Sequence, residues 1–261
     1  MAVTMLFSVM ASKQRTVESV GITLEIIEYL HQEGAAGVTE IANALGRSKG
    51  TIHGHISTLV DHKHLVKEEG EYQLSLYYLD LGEGVKSRLR NYDVVEEELT
   101  DLAEKSGEVA QFAVEEHGNV VYIHKQAGEK AVQTASSPGK REYMHCTSLG
   151  KAMLAHLPHD RVEAIVERHG LPRFTAQTIT TRQELSEELA EVRERGYAFD
   201  REELIEGLRC VACPVERNGE LLGAISVSGP ARRIEGAYFE EELPQMVRRS
   251  ANVIEINAQF S

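Results

Sequence analysis

The spacing of apolar positions predicts that the chain opens with three helices and a β-hairpin. The first helix begins near Arg15, the second ends at Gly46, and the third begins at Ser48. The apolar positions that define them are Val20, Leu24, Ile27 and Leu30, then Val38, Ile41, Ala42 and Leu45, then Ile52, Ile56, Leu59 and Val60. Two alternating segments around Glu69-Gly70 follow, which predicts a hairpin.

Two short helices joined by a tight turn and followed by a hairpin are typical of a winged helix-turn-helix. The third helix would present short polar and basic side chains from its first turns, as a helix that reads the major groove of DNA does. The candidate DNA-binding residues are Arg47, Ser48, Lys49, Thr51, His53 and His55, with Arg15 as a candidate phosphate contact. Any compact three-helix domain produces similar periodicities, and an exposed, solvated Arg15 is the alternative to a phosphate contact.

Residues 76–106 are apolar in two helical stretches that break near Asn91-Tyr92. A connector of this kind either packs on the next domain or pairs with a second copy of itself. We favour pairing, because a dimer matches a palindromic operator.

Beyond Gly107 the period changes to two. Strands are predicted at 109–114, 120–123, 131–135, 197–200, 209–216 and 221–228, with hairpin turns at Gly118-Asn119 and Asn218-Gly219. Helices at 147–154, 158–169, 182–195 and 239–257 complete an α+β domain with a largely antiparallel sheet. The predicted organisation is a disordered tail over 1–14, a winged helix-turn-helix domain over 15–78, a helical linker over 79–106 and an effector-binding domain over 107–261.

Composition and charge restrict the class of protein. With 42% hydrophobic residues and no apolar run long enough for a membrane span, the chain is expected to be cytoplasmic, without a membrane partner. Its net charge of −13 is unusual for a DNA-binding protein. Residues 47–67 nevertheless hold four basic residues against one acidic residue, a local net charge of +3. The acidic excess elsewhere, with 18 Arg against 10 Lys, is typical of adaptation to high cytoplasmic salt.

The sequence offers little catalytic or metal-binding chemistry. Three cysteines, Cys146, Cys210 and Cys213, are too few for a disulfide framework, and the Cys-Val-Ala-Cys run favours a buried strand over a dithiol site. Cys210 with His145 and Asp200 could form a hydrolase triad, and the cysteines with His145 a zinc site, but these residues lack the spacing of either. We therefore predict no catalytic residues, no metal and no cofactor.

A binding pocket is the better interpretation of the second domain. Backbone N–H groups at Thr147-Ser148-Leu149-Gly150 begin a helix and could bind a small anion, and Ser226 and Ser228 share one face of their strand. Helix capping and ordinary strand polarity explain the same residues equally well.

The chain resembles the IclR family of transcriptional regulators. The resemblance lies in VTEIANALGRSKGTIHGHISTLV, HCTSLGKAMLAHLP, TITTRQELSEELAEVRERGYAFDREELIEGLRCVACPV and GAISVSGPARRI. It implies a winged helix-turn-helix, a GAF/PAS-like effector domain, homodimers or dimers of dimers, no cofactor, and small organic acids, sugar acids or aromatic catabolites as effectors. Carried over by position, the effector pocket would involve Ser148, Leu149, Gly150, Asp200, Leu208, Cys210, Ser226 and Ser228.

Two positions depart from the family pattern. Gly54 stands where the family usually has Arg, and Ser48 where it usually has Pro. The loss of the Arg puts one DNA contact in doubt, and His55 is a candidate to replace it. Two rival functions remain open at this point: a DNA-tethered enzyme with Cys210 as its nucleophile, and a winged domain used for protein contacts.

Overall fold

The computed structural model describes residues 16–88, 92–132 and 136–259. Arg15 and the predicted tail therefore lie outside the described residues, as do residues 133–135 of one predicted strand. The chain divides into two compact units, Met1–Leu89 and Arg90–Ser261.

The first unit contains the predicted helices and hairpin. Its elements are α1 (Glu18–Glu33), β1 (Ala35–Ala36), α2 (Val38–Ala44), α3 (Lys49–Asp61), β2 (Leu65–Glu68), β3 (Glu71–Leu74) and α4 (Tyr77–Lys86). The three strands form an antiparallel sheet in the order β1-β3-β2. Between β2 and β3, Glu69 and Gly70 both have positive φ, as a two-residue hairpin turn requires. The helices and sheet enclose a core that includes Ile26, Ile41 and Ile56.

The predicted apolar stripe of α1 is correct for Ile27 and Leu30, which pack in the core, but wrong for its first two residues. Val20 and Leu24 are each 54% exposed, whereas Ile22, Ile26 and Leu30 are buried. Both sets recur at helical spacing, because α1 carries apolar residues on two faces. The core takes the face with a strict four-residue repeat, which leaves the second apolar face exposed to solvent.

The second unit is an antiparallel sheet covered by helices on both faces. Its elements are α5 (Tyr92–Ser106), β4 (Val109–Glu116), β5 (Asn119–Ala127), β6 (Arg141–Tyr143), α6 (Ser148–Leu154), α7 (His159–His169), α8 (Arg182–Arg195), β7 (Ala198–Arg201), β8 (Leu208–Arg217), β9 (Glu220–Pro230), a π-helical segment (Tyr238–Glu242) and α9 (Leu243–Gln259). The strand order is β6-β5-β4-β9-β8-β7, and every neighbouring pair is antiparallel. This confirms the predicted fold class.

Two local predictions need correction. The first hairpin turns at His117-Gly118, both with positive φ, one residue earlier than predicted. The sheet's next strand is β6 rather than the predicted segment at 131–135, of which Ala131 and Val132 are not in a strand. The turn at Asn218-Gly219 is confirmed, and both residues have positive φ.

Alternate residues of the sheet face two separate cores. Phe112, Val211 and Val227 pack with α5 and α9 on one face, and Ala113, Ala212 and Ala224 pack with α6, α7 and α8 on the other. The two halves of the predicted connector therefore differ. In α5, Val95, Leu99 and Leu102 belong to the first of these cores, whereas no residue of α4 is buried.

Candidate DNA-reading helix and effector pocket

The N-terminus of α3 is capped by Ser48. Its hydroxyl accepts a hydrogen bond from the Thr51 N–H at 3.1 Å and lies 2.8 Å from the Thr51 hydroxyl. Capping satisfies a backbone donor that the helix itself leaves unpaired. Lys49, Thr51 and His53 follow on the first two turns and are all exposed. Four of the predicted DNA-binding residues therefore share the start of one exposed helix.

Arg47 and His55 lie against α1 instead. The Arg47 guanidinium is 3.3 Å from the Glu18 carboxylate and 3.9 Å from that of Glu25. His55 is half-buried, and its Nδ1 is 2.8 Å from the Thr23 hydroxyl. These two side chains connect α3 and the turn before it to α1. Because Nδ1 of His55 contacts Thr23, this ring nitrogen is not free to replace the Arg that the family usually has at position 54.

Gly54 lies on the exposed face of α3. A Cβ built at Gly54 meets no atom within 4 Å. A Cβ built at Gly50, one turn earlier, meets only the Ser48 hydroxyl, at 3.9 Å. The middle of the exposed helix face therefore has no side chain at Gly54, and the polar side chain of His53 lies next to it.

A pocket opens in the second unit on the sheet face that α6 covers. Its cavity volume is about 40 Å³, room for a few water molecules. Seven of the eight predicted effector residues line it: Ser148, Leu149, Asp200, Leu208, Cys210, Ser226 and Ser228. They come from α6 and from three neighbouring strands, β7, β8 and β9, so segments distant in sequence meet at one place.

Gly150 is the predicted residue that does not line the pocket. Its N–H donates to the Thr147 hydroxyl at 3.1 Å, which caps α6. A Cβ at Gly150 would lie 2.2 Å from the Met144 carbonyl oxygen, so a residue without a side chain is needed for α6 to pack there.

Other residues of the pocket lining were not predicted from the sequence. These are Gln111, Tyr122, Ser136, Lys140, Glu142, Leu204 and Ile205, whereas Thr147, which was expected at the start of the helix, also lines the pocket. Gln111 had a recognisable signal, since it is a polar residue inside the apolar strand β4. Leu204 and Ile205 had none, because they belong to an acidic loop between β7 and β8 whose path cannot be inferred from periodicity.

A chain of hydrogen bonds crosses the pocket wall. The Ser228 hydroxyl donates to Gln111 Oε1 at 3.0 Å, and Gln111 Nε2 donates to the Ser136 hydroxyl at 2.6 Å. Ser226 differs from Ser228, because its hydroxyl is fully buried and has no hydrogen-bond partner within the part of the chain that the structure describes. A buried polar group without a partner costs stability.

Asp200 lies beside a buried ion pair. Lys151, which is 1% exposed, has its Nζ 2.5 Å from Glu203 and 3.6 Å from Glu188. Burial and the neighbouring Glu203 charge raise the pKa of Asp200 to about 7, and the opposing effect of Lys151 is smaller. The Asp200 carboxyl also accepts the Glu203 N–H at 2.8 Å.

The surroundings of Cys210 disfavour the thiolate form that a nucleophile needs. Burial raises the pKa of its thiol well above the ordinary value, and the Asp200 charge raises it further. His145, the proposed base, has its Nε2 3.0 Å from the Pro172 carbonyl oxygen. Cys213 points to the opposite face of β8, into the core with α5 and α9, so the two cysteines of the Cys-Val-Ala-Cys run are separated by the sheet.

Two family descriptions match the two units. The IclR helix-turn-helix domain matches residues 19–69, and the bacterial transcriptional regulator IclR C-terminal domain matches residues 87–256. The chain belongs to the IclR family of transcriptional regulators. It is accordingly an IclR-type DNA-binding transcription regulator with a C-terminal effector domain, as the resemblance in the sequence implied.

Individual IclR-family proteins are similar over nearly the whole chain. The "Probable HTH-type transcriptional regulator ArcR" of Halobacterium salinarum is 30% identical over 251 residues, which cover 94% of this chain and 95% of that protein. The transcriptional repressor IclR of Escherichia coli is 32% identical over 225 residues, 84% and 82% of the two chains. A solved IclR homologue from Microbacterium hydrocarbonoxydans, in complex with 4-hydroxybenzoate, shares the fold with a TM-score of 0.81 at 22% identity, covering 93% of this chain and all of that one.

The described residues contain no group of three or more His, Cys, Asp or Glu side chains placed to hold a metal ion. Among the described helices, none combines the length and apolar character needed to cross a bilayer.

Proposed function

We propose that this regulator binds a palindromic operator as a dimer or a dimer of dimers in the cytoplasm, and that α3 enters the major groove of each half-site. The observation that carries this proposal is the capped start of α3, where Lys49, Thr51 and His53 are exposed together. A helix presented in this way matches the donor and acceptor pattern of base edges. Arg47 is partly neutralised by Glu18 and Glu25, so Lys49 supplies the main positive charge at this end of the helix.

The dimer is supported by apolar surface in the first unit. Leu76, Leu79 and Val85 at the start and along α4 are 81%, 67% and 63% exposed, and the second apolar face of α1 is exposed as well. A row of large exposed apolar side chains on a helix is a common feature of interfaces. A second copy of the same helix would cover it and place two reading helices at a defined spacing.

The pocket beside α6 would bind the effector. The Ser226 hydroxyl supports a ligand there, because a ligand oxygen would satisfy a buried group that has no hydrogen-bond partner among the described residues. We infer that the effector is a small organic acid. It would act by binding one arrangement of the two DNA-reading units better than another, which shifts the population towards that arrangement.

Operator binding can be tested with two substitutions and a matched control. Lys49→Ala and His53→Ala should each weaken operator binding in a gel-shift titration by roughly tenfold, because each removes a contact worth about 1–3 kcal/mol. Lys105→Ala removes the same charge as Lys49→Ala from α5 in the second unit and should leave operator affinity unchanged. Unaltered affinity in both α3 variants, with intact folding, would contradict the assignment of α3 as the reading helix.

The effector site has a separate test. Ser226→Ala combined with Ser228→Ala should abolish release from the operator by an effector found in a thermal-shift screen of small organic acids, since a bound ligand raises the unfolding temperature by mass action. Operator binding without effector should be preserved. If the double variant is still released normally, the effector binds elsewhere.

A further inference from the structure

We propose that the effector binds as a carboxylate together with one proton, which is held on Asp200 and donated in a hydrogen bond to the ligand. This inference rests on the proposed function, because it takes the pocket beside α6 to be the effector site. The proposal adds two points: the acid binds as a carboxylate, and the proton on Asp200 offsets the cost of burying that negative charge.

The buried charge cluster next to Asp200 favours such a proton. Lys151 and Arg195 are the cations of the cluster, and Asp200, Glu203 and Glu188 are its carboxylates. Arg195 is also shared with Glu191, so the cluster already contains more carboxylates than cations when all are ionised. A second buried negative charge from the ligand would be costly without neutralisation.

Other charged groups near Asp200 do not supply the missing positive charge. At the pocket edge, Lys140 is 2.9 Å from Glu142, and on β7 the Arg201 guanidinium is paired with Glu240 at 2.7 Å. Three other groups that interact electrostatically with Asp200 are acids whose pKa values are raised by burial: Tyr122 on β5, Cys146 before α6 and Cys210 on β8. These three stay neutral near pH 7, and so none of them compensates a ligand carboxylate.

Asp200 is placed to carry the proton. It lines the pocket, it is 2% exposed, and its carboxyl accepts a hydrogen bond from the Glu203 N–H. Its pKa of about 7 means that protonation costs little at neutral pH. The proton comes from solvent and forms an O–H bond on Asp200, and no other bond is made or broken.

The sign of the pH dependence follows. Below the pKa of Asp200 the proton is already present, and the affinity for a carboxylate is constant. Above it, each pH unit should lower the affinity about tenfold, because the complex must take up a proton that the free protein has lost. Most carboxylic acid ligands are fully ionised over this range, so the slope belongs to the protein.

The test uses the full-length protein with acetate, lactate, benzoate and 4-hydroxybenzoate as probes, between roughly pH 5.5 and pH 8.5. Isothermal titration calorimetry in two buffers of different ionisation enthalpy should show uptake of close to one proton per bound acid at the alkaline end. Asp200→Asn keeps a neutral hydrogen-bond donor at the same place and should bind with an affinity independent of pH. Glu167→Gln removes an exposed carboxylate of α7 that lies outside this charge cluster, and it should retain the wild-type slope.

Several results would overturn the proposal. These are an affinity that does not change with pH, no proton uptake by the wild-type protein, loss of binding by a folded Asp200→Asn variant at every pH, or no binding of any probe acid at the acidic end. If Asp200→Asn does not fold, the proton count on the wild-type protein decides. Operator binding should also be measured on the same samples. If it is normal, the proposed DNA-binding function stands even where the proton on Asp200 is disproved, since α3 does not depend on Asp200.

Discussion

At the scale of single residues, two helical glycines have opposite roles. Gly54 has open space around it, so Gly54→Ala should raise the free energy of unfolding of the first unit by up to about 1 kcal/mol through helix propensity. Gly150 touches the Met144 backbone, so Gly150→Ala should lower the stability of the second unit by about 1–3 kcal/mol through overpacking. Thermal and urea unfolding of the two variants would measure both effects. A destabilised Gly54→Ala variant would show that the exposed face of α3 is occupied.

Asp200 also makes stability depend on pH. Its pKa rises from 3.8 in a free side chain to about 7 in the folded protein, so the folded state holds the proton more tightly than the unfolded state. The favourable contribution of Asp200 to the free energy of unfolding is therefore fully present below about pH 4 and is lost as the pH rises towards 7. Asp200→Asn should be more stable than the wild type by a few kcal/mol near pH 8, and the difference should shrink towards pH 4. Urea unfolding at the two pH values would measure it, and a pH-independent difference would contradict it.

At the scale of elements, the caps of α3 and α8 form a matched pair. Ser48 caps the reading helix, and Thr181 caps α8 in a reciprocal arrangement with Glu184. Ser48→Ala and Thr181→Ala should each lower the free energy of unfolding by about 1 kcal/mol. We expect Ser48→Ala also to weaken operator binding in a gel-shift titration, because it loosens the turn that holds Lys49 and Thr51. Equal operator affinity in the two variants would show that the cap acts on stability alone.

Elements were more predictable from the sequence than the faces they bury. The caps of α3 and α6, and the turn at Asn218-Gly219, depend on residues close in sequence, and the expectation for each was confirmed. The buried face of α1 was not predictable, because its two apolar stripes satisfy the same helical period. The choice between them depends on α2, α3 and β3, which pack on only one of the two faces.

In the pocket too, local patterns were predictable and contacts between distant residues were not. Ser226 and Ser228 could be placed on one strand face from alternation, and resemblance supplied Asp200 and Cys210. Gln111 was missed because its partners Ser228 and Ser136 are 117 and 25 residues away, and no local pattern reports such contacts. Gly150 has a packing contact with Met144 that is likewise invisible in sequence.

At the scale of the whole molecule, the exposed apolar surface of α4 leads to a prediction about assembly. Leu79→Glu places a charge in the middle of that surface and should lower the apparent mass in multi-angle light scattering at micromolar concentration, because burying a carboxylate in an apolar interface is costly. Operator affinity should fall with it, since each half-site would bind alone. Glu83→Gln on the same helix is the control, and should leave the mass unchanged. An unchanged mass for Leu79→Glu would place the dimer interface elsewhere.

The state of the three thiols has a consequence for what this regulator can sense. Cys146, Cys210 and Cys213 are all buried, and burial raises the pKa of each thiol, to about 12 for Cys213. Peroxides and electrophiles attack the thiolate, which these environments suppress at physiological pH. The three thiols should therefore resist oxidants while the protein is folded. Its output would then follow the supply of a metabolite during oxidative stress, when thiol-based regulators change state.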